Sequence, residues 1–131
     1  MIDTDRLHRV RSHECSEATA QTPGMRRVAA VTGASVGARR IWMGRTHVAP
    51  GASSGPHHHG ESETAIHVLA GQPVFVYRIG AAEVRLETEP GDYVYVPPHV
   101  PHIEENPGET EALIVLARTT QEAIVVNLDS L

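Results

Sequence analysis

Residues 57–71 read HHHGESETAIHVLAG, and this stretch indicates the fold. It begins with an H-x-H pair, in which one residue separates His57 from His59. In an extended strand alternate side chains share a face, so both imidazoles can point into a barrel while His58 points away. The TAIHVL part that follows is a short run typical of a strand. The stretch therefore predicts β structure with two histidines on one inner face.

Short β-type runs continue on both sides of this stretch. They are RVAAVT (27–32), RRIWMGRTHV (39–48), TAIHVL (64–69), PVFVYRI (73–79), AEVRLE (82–87), DYVYV (92–96), ALIVLAR (112–118) and EAIVVNL (122–128). Gly, Pro, Asn or Asp interrupts nearly every run, and no segment of helical length and period lies between them. Regular short strands of this kind are typical of an antiparallel sandwich or barrel. We therefore predict an all-β, antiparallel fold.

The length of 131 residues fits one domain, because a single core normally serves up to about 150 residues. Residues 1–25 are polar and show neither helical nor strand periodicity, which predicts an N-terminal arm. Residues 26–131 then form the single domain. Because exposed sheet edges must be covered, the arm and the strand RVAAVT are candidates for pairing with a second chain, which predicts a homodimer.

The composition excludes several classes of function. The single cysteine, Cys15, rules out an intrachain disulfide, and the absence of lysine rules out Schiff-base chemistry on a lysine. A net charge of -5 without a basic cluster argues against nucleic acid and anionic membrane as partners. No apolar run approaches the roughly 20 residues of a membrane helix, and the first residues lack the apolar region of a secretory signal. We expect a cytoplasmic protein with a small-molecule partner.

Four residues form a candidate metal site: His57, His59, Glu63 and His102. Glu63 follows a glycine turn and can bring a carboxylate oxygen to the ion bound by the H-x-H pair, while His102 follows a proline-rich corner. Three imidazole nitrogens and one carboxylate suit Zn(II), Fe(II), Mn(II) or Ni(II), and one cysteine excludes a thiolate site. A solvated histidine loop is the alternative for three adjacent histidines. Further histidines follow in the same domain, among them His102, and they favour metal binding instead.

These residues resemble both sequence motifs of the cupin superfamily. The first motif, G-x5-H-x-H-x3-4-E-x6-G, resembles Gly51, His57, His59, Glu63 and Gly71. The second, G-x5-P-x-G-x2-H-x3-N, resembles Gly91, Pro97, His102 and Asn106. The resemblance covers roughly residues 40–118 and implies a jelly-roll β-barrel with a metal ion at its mouth.

The chain departs from these motifs at two places. His99 stands where the second motif has a glycine, so the corner gains an imidazole that is expected to line the pocket. The spacing from Glu63 to Gly71 is one residue longer than the pattern, so Thr64 takes the carboxylate position unless the strand contains a bulge. We favour Glu63, because a threonine hydroxyl is a poor ligand for a divalent ion and a bulge readily re-aims a side chain.

Three residues are candidates for catalysis: Glu63, His67 and His99. If Glu63 faces inward, alternation brings His67 into the pocket as well, unless the bulge resets the register. A non-ligand imidazole such as His67 or His99 can take a proton from bound substrate or water, because its ordinary pKa is about 6.5. Glu63 can act as a base once substrate displaces it from the ion.

The resemblance does not imply one reaction, because cupins include oxygenases, isomerases, epimerases, decarboxylases and non-catalytic binding proteins. The leading hypothesis is an enzyme that acts on a small polar molecule, like an amino or hydroxy acid, at one divalent ion, with Zn2+ favoured over Fe2+, Mn2+ or Ni2+. HHHGESETAIHVLAG and VPPHVPH also resemble small zinc cupins that form N–N bonds between a hydroxylamine-bearing lysine and an amino acid, which would need a synthetase-like partner. The third hypothesis is a non-enzymatic cupin with a structural metal.

Overall fold

The computed structural model describes residues 2–3 and 5–131, and most of its regular structure is β-strand. A 3-10 turn (Ser12–Glu14) precedes the first strand, and the short helix α1 (Gly33–Val36) follows it. Within the described residues, no helix is long and apolar enough to cross a membrane. The strands of this part are β1 (Met25–Val31), β2 (Trp42–Val48), β3 (His57–His58), β4 (Thr64–Ala70), β5 (Val74–Ile79), β6 (Ala82–Glu87), β7 (Tyr93–Val96), β8 (Ile103–Glu105), β9 (Ala112–Arg118) and β10 (Val126–Asn127).

The strands form two larger sheets and one short pair. The order β1-β2-β9-β4-β7 makes the five-stranded sheet, β6-β5-β8 makes the three-stranded sheet, and β10 pairs with β3. The paired strands are antiparallel throughout. Some neighbouring strands, such as β2 and β9, are distant in sequence, so the chain crosses over between the sheets as in a jelly roll. The predicted all-β, antiparallel jelly roll is therefore confirmed.

Strand alternation gives the five-stranded sheet an inner and an outer face. In β4 the buried side chains are Thr64, Ile66 and Val68, and in β9 they include Ile114 and Leu116. The inner side chains pack into one apolar cluster, which removes their surface from water. That cluster consists of Trp42, Ile66, Val68, Phe75, Val96, Ile114 and Leu116.

The inner face of β4 is the opposite of the predicted one. Thr64 is buried, whereas Glu63 directly before the strand is exposed and His67 lies on the outer face. The register of β4 against β9 does shift, but the shift falls between Val68 and Ala70. An irregularity at that end of the strand cannot re-aim Glu63. The shorter motif spacing therefore applies, and Thr64 takes the inward position.

The segment before β1 packs against the domain. Ser16 forms an isolated antiparallel bridge with Ala29 of β1. The side-chain amide of Gln21 bonds both backbone groups of Arg27, at 2.7 and 2.9 Å. Residues 20–23 also line the central cavity. Part of the predicted arm thus contributes to the interior, and the homodimer stays a prediction.

Candidate metal centre

Three histidines lie side by side in the wall of a central cavity. His57 in β3 and His102 directly before β8 are joined by two backbone hydrogen bonds, with N–O distances of 3.1 and 2.9 Å. This antiparallel bridge brings both buried imidazoles to one side of the barrel. His59 joins them, as the H-x-H spacing predicts. The ring centroids of the three imidazoles are 4.4 to 5.1 Å apart.

Backbone carbonyl groups fix the orientation of all three imidazoles. The contacts join Nδ1 of His57 to the oxygen of Gly55 (2.9 Å), Nδ1 of His59 to that of Ile124 (2.8 Å) and Nδ1 of His102 to that of Val100 (2.9 Å). A carbonyl oxygen only accepts, so each Nδ1 carries the proton and each Nε2 keeps its lone pair. Contacts of this kind are typical of metal-binding histidines. One ring nitrogen from each residue lies within 4.8 Å of the others, so the group could hold a metal ion.

Burial keeps these imidazoles neutral. Desolvation lowers the pKa of His57 and lowers the pKa of His59 and of His102 to about 4. The backbone hydrogen bonds raise these pKa values, and neighbouring positive charge, including that of Arg27, lowers the pKa of His57 and His59 further. Because metal binding requires an unprotonated nitrogen, the three lone pairs are available near neutral pH.

The three histidines line a cavity of about 410 Å³ inside the barrel. This volume lies within the range of about 300 to 1,000 Å³ that is usual for small-molecule sites. Apolar side chains of the core form one part of the wall. Polar side chains that form the rest include Arg27, Thr46, Ser54, Thr64, Glu104 and Arg118.

Two arginines give the cavity positive charge. Arg27 in β1 donates from Nη1 to the hydroxyl of Thr22 at 2.8 Å. Arg118 at the end of β9 donates from Nε and Nη2 to two carbonyl oxygens of the next segment, at 3.0 and 2.9 Å. Burial lowers the pKa of both guanidinium groups, that of Arg118 to about 10. Arginine stays charged at neutral pH, so both groups can attract an anion.

Glu104 adds a carboxylate to the same wall. It stands two residues after His102, so alternation along β8 places both side chains on one face. Its Oε1 atom is buried and has no hydrogen-bond partner among the described residues. Burial raises the pKa of Glu104 to about 7, and the positive charge of Arg27 acts in the opposite direction.

Glu63 and His67, two of the predicted site residues, lie outside the cavity. The exposed carboxylate of Glu63 accepts a hydrogen bond from the Tyr95 hydroxyl. His67 stacks on Tyr93 with the ring centroids 4.3 Å apart, and its Nδ1 lies 3.3 Å from the carbonyl oxygen of Asp92. Since both side chains point to the outer face of the sheet, the structure does not bring the predicted fourth ligand or the predicted base to the three histidines.

His99 also lies outside the cavity, on an exposed turn before β8. Its backbone has a φ of 62°, in the left-handed region that residues with a side chain rarely adopt. This conformation explains why the motif has a glycine at the position. The His99 ring lies 5.7 Å from that of His58, which points away from the three histidines as predicted. The expected pocket imidazole is therefore part of an outer pair.

The sequence-based prediction did not include three charged residues of the cavity: Arg27, Glu104 and Arg118. Glu104 follows His102 at strand spacing, and Arg118 has the same alternation as the buried residues of β9, so both carried a signal. Arg27 carried none, because its inward position depends on pairing with Thr46 of β2, which is distant in sequence.

Comparisons with known proteins agree with this architecture. A family model described as Cupin domain matches residues 44–117, more than half of the chain. Among curated proteins, no match is found.

Several solved structures share the fold. The polyketide cyclase RemF from Streptomyces resistomycificus is 22% identical with a TM-score of 0.72, over 94% of this chain and 86% of its own. Oxalate oxidase in complex with the substrate analogue glycolate is 22% identical with a TM-score of 0.69; the match covers 86% of this chain, which spans only 62% of that protein. Oxalate decarboxylase from Bacillus subtilis is 19% identical with a TM-score of 0.69, over 82% of this chain and 28% of its own. Identities this low show a common fold alone.

Proposed function

Because this chain belongs to the cupin family, we propose that it is a metal-dependent enzyme whose divalent ion is held by His57, His59 and His102. Its ligand is a small polar molecule with a carboxylate group, of the size of an amino or hydroxy acid. The carboxylate binds near the ion and the two arginines of the cavity.

The fixed tautomer of the three histidines carries this proposal. Each Nδ1–H is used by a backbone carbonyl group, so three neutral Nε2 atoms are left in one small, buried region. Each of these nitrogens has a lone pair and no proton. The three can therefore bind a cation but cannot donate a hydrogen bond to an anion. A histidine packed only for stability would not need two neighbouring histidines whose Nδ1 atoms are also held by backbone carbonyl groups.

The number of protein ligands supports an enzyme over a structural metal. A structural zinc site is normally closed by four protein ligands, whereas a catalytic site keeps a position open. Within the described residues, the group contains the three histidines, and Thr64 occupies the inward position of the motif. A bound ion would supply Lewis-acid polarisation of a substrate oxygen. Zn2+ is favoured, and Fe2+, Mn2+ and Ni2+ also accept imidazole ligands.

The charged wall supports a carboxylate ligand. Arg27 uses Nη1 for Thr22, and Arg118 uses Nε and Nη2 for backbone oxygens, so each guanidinium keeps further N–H groups. These groups match a carboxylate in geometry and charge. Two proteins of the same fold have names that concern small carboxylates, namely oxalate oxidase with bound glycolate and oxalate decarboxylase.

The first experiment is the metal content of protein purified without added metal, followed by calorimetric titration of the metal-loaded chain with glycolate. We expect one transition-metal ion per chain and glycolate binding that is lost after metal removal. Arg27→Gln should weaken glycolate binding about tenfold, because it removes a hydrogen bond to a charged group. Arg26→Gln is the matched control, since Arg26 is exposed and paired with Glu17 at 2.8 Å. Equal effects of both variants, or binding without metal, would contradict the proposal.

N–N bond formation is a narrower hypothesis that rests on the sequence resemblance. It requires Zn2+ at the three histidines and a synthetase-like partner that supplies the joined amino acids. Incubation of the zinc-loaded chain with such a partner, a hydroxylated lysine and a second amino acid tests it by mass spectrometry of the product.

A further inference from the structure

We propose that Glu104 selects ligands that carry a hydroxyl group in addition to the carboxylate, so that the substrates are small hydroxy acids. This inference rests on the proposed function, because the ion and the arginines place the carboxylate end of the ligand. Glu104 would then accept a hydrogen bond from the hydroxyl group.

The unpaired carboxylate is the observation that calls for a ligand. Oε1 of Glu104 is buried in the described structure without a hydrogen-bond partner, while the side chain lines the cavity. Most buried polar atoms in native proteins have a partner, because burial without one costs free energy. A ligand in the cavity can supply the missing donor.

The surroundings of Glu104 hold this acceptor in place and leave it unpaired. Its backbone N–H donates to the hydroxyl of Ser54 at 2.9 Å, and its carbonyl oxygen accepts from the Ser54 N–H at 2.8 Å. Its partner in β5 is Phe75, a buried ring that offers no conventional donor. The positive charge of Arg27 lowers the pKa of Glu104, but Nη1 of this arginine donates to the hydroxyl of Thr22. The carboxylate therefore keeps a free acceptor within the cavity.

The charge of the cavity favours a hydroxyl group over an ammonium group as the donor. Arg27 and Arg118 already line this cavity, and the proposed ion adds two further positive charges. A ligand ammonium would be attracted by the Glu104 carboxylate alone and repelled by the two guanidinium groups and the ion, whereas a hydroxyl group is neutral and is not repelled. On a short carbon chain, the carboxylate can bind near the ion and the arginines while the hydroxyl group donates to Glu104.

A series of four-carbon acids tests this inference with the zinc-loaded full chain. Butyrate is compared by calorimetry with the butyrates that are hydroxylated at the second, third or fourth carbon. We expect at least one hydroxy acid to bind about tenfold or more tightly than butyrate, the usual effect of a hydrogen bond to a charged group. Glu104→Leu should abolish this preference, which is measured within the variant as the ratio of its hydroxy acid affinity to its own butyrate affinity.

Two further variants control this comparison. Glu105→Gln is the matched control, because Glu105 is on the same strand but its carboxylate pairs with Arg85 at 2.8 Å; it should keep the preference. Glu104→Gln preserves shape and one neutral acceptor oxygen, so it should fold and show a reduced preference. It decides the matter if Glu104→Leu does not fold.

The outcomes separate this inference from the proposed function. Carboxylates that bind without a hydroxyl preference, or a preference that survives both Glu104 variants, would overturn the role of Glu104 alone. A preference that survives both variants would mean that the hydroxyl group binds the metal ion. Tighter binding of the corresponding amino acids would overturn the choice of hydroxyl. If neither glycolate nor any four-carbon acid binds to the metal-loaded chain, both proposals fail.

Discussion

Six of the nine histidines of this protein fall into two groups that differ in what surrounds them. The inner histidines line the cavity, and each donates Nδ1–H to a backbone carbonyl group. The outer histidines make contacts with other rings on the barrel surface, such as the stacking of His67 on Tyr93. The inner histidines are His57, His59 and His102, and the outer histidines are His58, His67 and His99.

Residue type alone therefore does not identify a site in this chain. His57 and His58 are adjacent in β3, yet alternation sends one imidazole into the cavity and the other away from it. What distinguishes the inner histidines is their place in the cavity wall, because His58 and His67 also have Nδ1 atoms that contact backbone groups. The variants below change one group while the other serves as the reference.

The largest effect is expected from the loss of an inner histidine. His102→Ala should lower zinc affinity by more than about a hundredfold, since even the residues that only orient a metal ligand contribute about 10- to 100-fold. His99→Ala, from the outer group, should keep the stoichiometry and the affinity. Zinc titration with a competing chelator measures both values. A similar loss in the two variants would show that the groups do not differ in function.

The second effect concerns the stability of the metal-free protein below neutral pH. For His102 the pKa is about 4 in the folded chain against an ordinary value of 6.5, so the unfolded chain binds more protons between these values. The contribution of neutral His102 is complete above pH 6.5 and is lost as the pH falls towards 4, at about 1.4 kcal/mol per pH unit. Urea unfolding with a chelator present should show this loss.

His102→Gln should make the decrease shallower than in the wild type. The difference between the two proteins is the relevant quantity, because Glu104 acts in the opposite sense. Because the pKa of Glu104 is raised, the folded chain binds more protons at this residue than the unfolded chain. The buried carboxylate therefore lowers the free energy of unfolding as the pH rises towards 7. Parallel curves for wild type and variant would contradict the low pKa of His102.

A smaller effect is expected on the outer face at Glu63. Glu63→Gln should leave the metal content and the zinc affinity unchanged, because the carboxylate contacts the Tyr95 hydroxyl and not the inner histidines. Its effect on stability should be slight, since the contact is exposed to water. Mass spectrometry of the native protein gives the metal content. Loss of the ion in this variant would return Glu63 to the ligand set.

The last effect is expected at His99 and concerns stability alone. His99→Gly should raise the free energy of unfolding by about 1 kcal/mol, because a left-handed backbone costs a residue with a side chain about 1–2 kcal/mol. His99→Ala keeps the left-handed strain and should give no such gain. Chemical unfolding of the two variants makes the comparison. Equal stability of the glycine and alanine variants would mean that the turn relaxes without cost.

Much of the fold could be predicted from local sequence patterns. AEVRLE and ALIVLAR coincide with β6 and β9, because short apolar or alternating runs between turn residues have few other stable conformations. EAIVVNL was predicted with the same reasoning, yet only its residues Val126 and Asn127 form a strand. The extent of that strand is limited by its partner β3, which is itself only two residues long.

The candidate site was less predictable, because strand register is a long-range property. A one-residue change of register exchanges the two faces of a strand, and the position of the β4 irregularity at Val68 and Ala70 could not be located from the sequence. This single uncertainty decided the placement of Glu63 and His67. The H-x-H pair did not depend on it, since His57 and His59 precede β4 and the alternation of adjacent residues is local.

The carbonyl group that orients His59 belongs to Ile124, on the segment between β9 and β10. Near its start this segment is attached to the barrel by hydrogen bonds of Thr119, Thr120 and Gln121. Near its end it is attached by the two-residue β10 and by the hydrogen bond from Leu128 N–H to the Pro56 carbonyl oxygen at 3.0 Å. Short attachments of this kind open locally at little free-energy cost. When the segment opens, His59 loses the partner of its Nδ1 and becomes free to rotate. We therefore expect a variant that weakens the pairing of β10 with β3 to release a bound ion faster than the wild type.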